Sequence, residues 1–202
     1  GNAGLAAATI AKKLRLPIEV YVPTSTKPFM VERIKATGAN VLIGGANWNE
    51  ADAKARERLD QVSQSSYIPP FDHPLLWEGN STLVDELVEA GVKPDTIVLS
   101  VGGGGLLAGV QLGLIRHGWT DVKIIAVETE GAASFASAMA AGRVTKLEKI
   151  TSIATSLGAL AVSPACLEMA QQVQTIPHLV SDRHCVSAMR NFVDDVRMLV
   201  EP

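Results

Sequence analysis

Thr96-Ile97-Val98-Leu99-Ser100-Val101-Gly102-Gly103-Gly104-Gly105-Leu106-Leu107-Ala108-Gly109 decides how this chain folds. Thr96 to Ser100 is a short apolar run that reads as a buried strand, and Leu106 to Arg116 reads as a helix. Four consecutive glycines join them. Strand, glycine loop and helix start together make a cradle for a phosphate: the backbone comes close to the anion, and the free N–H groups of the first helical turn point at it. A flexible linker is polar on both sides; this stretch is apolar on both sides. It is not the dinucleotide fingerprint, because position 107 is Leu where the third glycine belongs, and it is not a P-loop, because no Lys-Ser or Lys-Thr follows. A single phosphate on a small cofactor fits it best.

Outward from this loop, helical and strand-like segments alternate. Leu5 to Leu14 is Ala-rich and helical in propensity, with Asn2 a candidate cap. Ile18 to Val22 reads as a strand stopped by Pro23. Pro28 to Thr37 reads as a helix, Asn40 to Ile43 as a strand closed by Gly44-Gly45, and Asn47 to Gln64 as a helix with a charged face. Tyr67 to Pro74 carries three prolines and reads as a crossover. A second series follows: a helix over Ser81 to Ala90, the strand and helix flanking the glycine loop, a strand over Lys123 to Thr129, and helices over Ser134 to Ala141, Pro164 to Val173 and Asp182 to Val196. Alternating β and α predicts an α/β fold of open parallel sheets with helices on both faces. The crossover divides it into a small domain of residues 1–73 and part of a larger, cofactor-binding domain of residues 74–202.

The chain has 202 residues, 47% of them hydrophobic and 19% charged, enough for a substantial core. Its formal net charge is -3 and it has no basic run, so nucleic acid has no electrostatic footprint here. No window has the apolar length of a membrane span, and no signal-peptide pattern opens the chain. Cys166 and Cys185 read as reduced core thiols. The chain opens without Met and ends as abruptly at Pro202, so both ends are expected to continue in a longer protein.

Ligands of an open parallel sheet bind at the carboxyl ends of its strands. The glycine loop lies at one such end, and Val127-Glu128-Thr129-Glu130 at the next. No nucleophile motif is visible. The histidines at 73, 117, 178 and 184 stand alone in sequence, and Trp48, Trp77 and Trp119 read as packing residues.

With these residues placed, the chain resembles the fold type II pyridoxal-phosphate enzymes, and within them the L-serine/L-threonine dehydratases. Gly1-Asn2-Ala3-Gly4 is similar to the end of the family's Ser-x-Gly-Asn-x-Gly loop, and Ser100 to Leu107 to its phosphate loop. Tyr67 to Asp72 with Leu76 to Gly79, Val127 to Phe135, Lys149 to Ser152 through Leu157-Gly158, and Phe192 to Asp195 with Leu199 to Pro202 match its other blocks. The resemblance implies an architecture of two domains, the larger one incomplete here. It also implies roles. Gly102, Gly103, Gly104, Gly105 and Leu106 would hold the phosphate of pyridoxal 5'-phosphate, Asn2 its 3'-hydroxyl, and Ser156 would line the pocket. Gly102, Glu128, Ala132, Ser134, Leu157 and Ala159 would give oxygens to a monovalent cation, K+. The Schiff-base lysine would precede Gly1 and the residue facing the pyridine nitrogen would follow Pro202, so no catalytic residue is assigned within this sequence. The implied activity is deamination of L-serine or L-threonine, small amino-acid substrates, to pyruvate or 2-oxobutyrate and ammonia by a cytoplasmic homodimer. The alternatives are another fold type II activity (threonine synthase, cysteine synthase or serine racemase) or a non-catalytic fragment.

Overall fold

The computed structural model describes residues 1–46 and 48–202. They form two compact units, Gly1–Pro70 and Phe71–Pro202.

The first unit is built on a parallel pair, β1 (Glu19–Pro23) and β2 (Asn40–Gly45). Around it lie α1 (Asn2–Leu14), α2 (Pro28–Lys35) and α3 (Trp48–Gln61). Its core is small: Ala8 and Ala11 of α1, Val20 and Val22 of β1, and Met30 and Ile34 of α2 are buried. Pro23 does not stop β1 but ends inside it, opposite Gly45, where the register slips. A proline is tolerated there because the ladder is already irregular. The cap position of α1 is Gly1, and Asn2 is the first helical residue. The helix expected from Asn47 begins on a residue outside those described, and is seen from Trp48 onward. Trp48, expected to be a packing residue, is exposed.

The second unit carries a three-stranded parallel sheet, β3 (Thr96–Ser100), β4 (Lys123–Thr129) and β5 (Thr175–Val180), in the order β3-β4-β5. Its helices are α4 (Pro74–Glu89), α5 (Gly105–Arg116), α6 (Ser134–Ala141), α7 (Pro164–Met169) and α8 (Asp182–Val196). Central β4 buries Ile124, Ala126 and Glu128 on one face, while Leu107, Val110 and Leu114 of α5, Val84 of α4 and Phe135 of α6 complete the core.

Three elements differ from the sequence expectation. Helix α4 starts at Pro74 rather than Ser81, because His73 Nδ1 accepts from the Leu75 N–H at 3.2 Å and Pro74 occupies the first helical position. Helix α7 ends at Met169, and the residues beyond it turn into β5, which the sequence reading did not identify. Pro177 hides that strand by breaking its pattern; it is accommodated because β5 lies at the edge of the sheet, opposite Ala126 of β4. Cys185 is only half-buried, on a helix with no buried residue, whereas Cys166 is fully enclosed.

Helices α4 and α5 approach closely because α5 carries glycine at 105, 109 and 113, a four-residue spacing that clears one helical face. A Cβ at Gly109 would stand 2.3 Å from Asn80 Cβ, and one at Gly113 would stand 2.7 Å from Val84 Cβ and 2.9 Å from the Ser81 carbonyl oxygen. Gly113→Val in the full-length protein is therefore expected to force α4 and α5 apart at a cost of about 1–3 kcal/mol or more. Thermal denaturation checks it, and an unchanged midpoint would show that this contact does not limit the packing.

Candidate cofactor-phosphate site

The glycine loop leaves β3, whose pairing with β4 continues one step beyond the strand through the Val101 N–H on the Val127 carbonyl at 2.9 Å. Gly104 then turns the chain in the left-handed region (φ +91°) and occupies the cap position of α5. A side chain there would collide with Cys166 Sγ at 2.5 Å and Val162 at 2.8 Å. Glycine is required twice over, by conformation and by space.

The carbonyls of this loop are all engaged by donors from other elements. Ser134 Oγ donates to the Gly102 carbonyl at 3.2 Å, and the Ser163 N–H to the Gly103 carbonyl at 2.9 Å. Cys166 Sγ and the Ala108 N–H donate to the Gly104 carbonyl at 3.2 and 2.8 Å. Asn80 Nδ2 donates to the Gly105 carbonyl at 3.1 Å. In a planar trans peptide the C=O and the following N–H point in opposite directions. Each pinned carbonyl therefore turns the next N–H the other way. The N–H groups of Gly103, Gly104, Gly105 and Leu106 are the ones so aimed, and none meets an acceptor among the described residues. Gly104 and Gly105 are buried, Gly103 is half-buried and Leu106 is exposed; buried backbone donors without a partner are rare in folded proteins, and all four lie at the positive end of a helix dipole. Such a row of donors suits a compact, multiply charged oxyanion such as a phosphate monoester. The residues present thus fit the phosphate of pyridoxal phosphate.

Sequence reasoning named the glycines but missed the residues that orient them. Asn80, Ser163 and Cys166 sit on α4 and at or near the start of α7. Phe71, taken as part of a crossover, packs its ring where a Gly103 side chain would be, 2.3 Å from that Cβ position. The four-residue glycine spacing in α5 was the one available signal, since it marks the face that α4 must approach. Burial pushes the Cys166 thiol up to about 12, with a smaller upward contribution from the charge of Asp72. Cys166 is thus a neutral donor, not a nucleophile.

Beside the loop lies the second group of predicted residues. Glu128, 1% exposed, ends the buried face of β4. Its two oxygens accept from the Phe135 and Ala136 N–H groups, each at 2.8 Å, and so cap α6 from a distance. Burial raises its proton affinity, against the smaller opposing pull of these N–H groups. Ser134 connects this carboxylate to the loop through its bond to Gly102, and Gly102 presses on Leu157, whose carbonyl oxygen would stand 2.9 Å from a Cβ there. Leu157 O in turn accepts from the Ala159 N–H at 2.9 Å. Ala132 is buried in the single 3-10 turn before α6. Gly102, Glu128, Ser134, Leu157 and Ala159 are thus brought into one neighbourhood. Ser156 is exposed and donates its hydroxyl to Glu201. Asn2 lies in the first turn of α1, in the other unit.

His117 is not solitary: its Nε2 lies 2.6 Å from Asp85 Oδ1, beside the Arg116–Asp85 ion pair. Among the described residues, no group of three or more His, Cys, Asp and Glu side chains is gathered to hold a metal, and no helix is long and apolar enough to cross a membrane.

The family described as pyridoxal-phosphate dependent enzyme matches residues 1–202. The chain is 49% identical to a mouse protein named serine dehydratase-like, over 100% of this chain and 61% of that protein. It is 45% identical to human L-serine dehydratase/L-threonine deaminase, over 100% of this chain and 62% of that protein. A solved fungal L-serine ammonia-lyase from Rhizomucor miehei has a TM-score of 0.87 and 38% identity, over 97% of this chain and 62% of its own. The chain therefore spans about three fifths of the length of the curated relatives it matches. Glu128→Ala in the full-length protein is expected to leave two N–H groups of α6 without acceptors and to cost on the order of 2–4 kcal/mol. Urea denaturation measures it, and a loss under ~1 kcal/mol would mean that these groups find other partners.

Proposed function

This chain belongs to the pyridoxal-phosphate dependent enzyme family, and from that premise we propose that the whole protein is a lyase that deaminates L-serine and L-threonine to pyruvate and 2-oxobutyrate. The observation that carries the reading is the row of N–H groups from Gly103 to Leu106, aimed by four pinned carbonyls and meeting no acceptor among the described residues. The names of the mouse, human and fungal relatives supply the substrate class.

Pyridoxal phosphate, when bound, supplies the electron sink that lets an amino acid lose its Cα proton and then its β-hydroxyl. The work of this chain is binding and orientation. Gly102 to Leu106 hold the phosphate, and α5 adds its dipole. Asn2 is assigned to the 3'-hydroxyl of the ring and Ser156 to the pocket wall, both on the resemblance. The two units are read as the small domain and part of the large domain of the family. Homodimer formation and a cytoplasmic location belong to the same proposal and rest on the resemblance alone.

The test is a product assay on the full-length protein with pyridoxal phosphate. Pyruvate from L-serine and 2-oxobutyrate from L-threonine, with ammonia in equal amount, are expected. D-serine as the main product from L-serine, or S-substituted products from O-acetylserine and sulfide, would replace the lyase reading by a racemase or a β-replacement enzyme.

The cation proposal rests on Glu128 and on the carbonyl and hydroxyl oxygens of Gly102, Ala132, Ser134, Leu157 and Ala159. A hard, singly charged ion suits such a shell, and one carboxylate balances its charge. Folding raises the proton affinity of Glu128, so this group favours the fold most below the ordinary glutamate range. That contribution is lost as pH rises through its raised value. A bound cation offsets the loss. Potassium, compared with tetramethylammonium at equal ionic strength, is expected to raise the thermal midpoint by about 2–4 °C at neutral pH, less in acid, and not at all in Glu128→Gln. An equal rise in wild type and variant would remove the assignment.

A further inference from the structure

We propose that Asp72 and Ser163 form a clamp across the glycine loop and are positioning residues for the cofactor phosphate, an inference that rests on the cofactor reading above. The loop is held from two flanks. On one, Phe71 fills the space that a Gly103 side chain would take, and its Cβ and carbonyl oxygen both stand 3.0 Å from where a Gly105 Cβ would be. On the other, the Ser163 N–H holds the Gly103 carbonyl, and Cys166, three residues on, holds the Gly104 carbonyl. Asp72 directly follows Phe71, and its Oδ1 accepts from Ser163 Oγ at 2.5 Å. One hydrogen bond therefore joins the two flanks, between residues far apart in sequence.

The local chemistry marks this bond as more than incidental. Ser163 occupies the cap position of α7, where serine ordinarily accepts from the N–H groups of its own helix. Its hydroxyl makes no such bond and is spent on Asp72 instead. Ser163 is 1% exposed, whereas Asp72 is an exposed residue; a solvent-facing carboxylate reaches a buried hydroxyl. Hydroxyl-to-carboxylate bonds of this length belong to the stronger, charge-assisted class. Fixing Ser163 fixes the Gly103 carbonyl, and through the planar peptide it fixes the direction of the Gly104 N–H. The charge of Asp72 also reaches the loop, since it contributes to the raised Cys166 thiol.

Charge and geometry make opposite predictions. If Asp72 acted only as a negative charge near an anion site, removing it would tighten cofactor binding. If it acts as a clamp, removing it loosens the N–H row and weakens binding. In the full-length protein, Asp72→Ala, Ser163→Ala, the double variant and Ser163→Thr are compared. Affinity for pyridoxal phosphate is measured by titration of the cofactor-free protein, and the phosphate environment by phosphorus NMR of the loaded protein. The clamp predicts about tenfold weaker binding in each alanine variant, a double variant no worse than either single, a displaced phosphorus resonance, and recovery in Ser163→Thr. The thermal midpoint of the cofactor-free protein should change little. Unchanged or tighter binding overturns the clamp, as do additive losses or a loss matched by a fall in the cofactor-free midpoint. Wild-type protein that takes up no pyridoxal phosphate overturns the cofactor reading itself.

Discussion

The planarity of the peptide group is the constraint on which this site depends. A glycine loop alone is only permissive: it lets the backbone approach an anion but does not aim anything at it. Aim comes from the other side of each peptide, where donors from α4, α6 and α7 take the carbonyls of Gly102 to Gly105. The site is thus assembled from behind. The direction of its N–H groups is set by residues on the far side of each peptide, and its rigidity is that of the helices carrying those residues.

This explains why the packing of α5 takes the form it does. Asn80 reaches the Gly105 carbonyl only because α4 lies unusually close, and α4 lies close only because Gly109 and Gly113 remove side chains from the contact. Glycine inside a helix costs about 1 kcal/mol relative to alanine, so two of them in α5 are a local disadvantage. The close helix pair offsets it with buried contacts: Val84 and Leu114 are fully enclosed. Local propensity and the needs of the site conflict here, and the site prevails.

Much of the fold was legible in the sequence because its strands are short apolar runs and its turns are marked by glycine and proline. β3, β4, α6 and α8 fall where the pattern put them. What escaped is instructive. β5 carries Pro177, which argues against a strand until one knows that the position is an edge. The start of α4 depends on His73 acting as a cap through its ring nitrogen, a role outside the usual capping residues. At the site, the glycines were legible and their positioners were not. Asn80, Ser163, Cys166 and Phe71 are ordinary residue types whose importance arises from tertiary contact, and no spacing rule announces a contact between residues 72 and 163.

Glu128 shows how one buried carboxylate can serve two ends of the same neighbourhood. Its oxygens satisfy the first free N–H groups of α6, so the helix start is organised by a residue from β4. That fixes Ser134, the first residue of α6, whose hydroxyl holds the Gly102 carbonyl. A chain of contacts therefore runs from the end of β4, through the start of α6, to the first glycine of the loop. The N–H groups of Phe135 and Ala136, with smaller help from Ser134, oppose the effect of burial on the carboxylate but do not outweigh it, which leaves its charge incompletely compensated. Any further positive charge admitted beside it stabilises the ionised form, and with it the start of α6 and the orientation of Ser134. The electrostatics of β4 and the aim of the phosphate loop are by this route one mechanical unit.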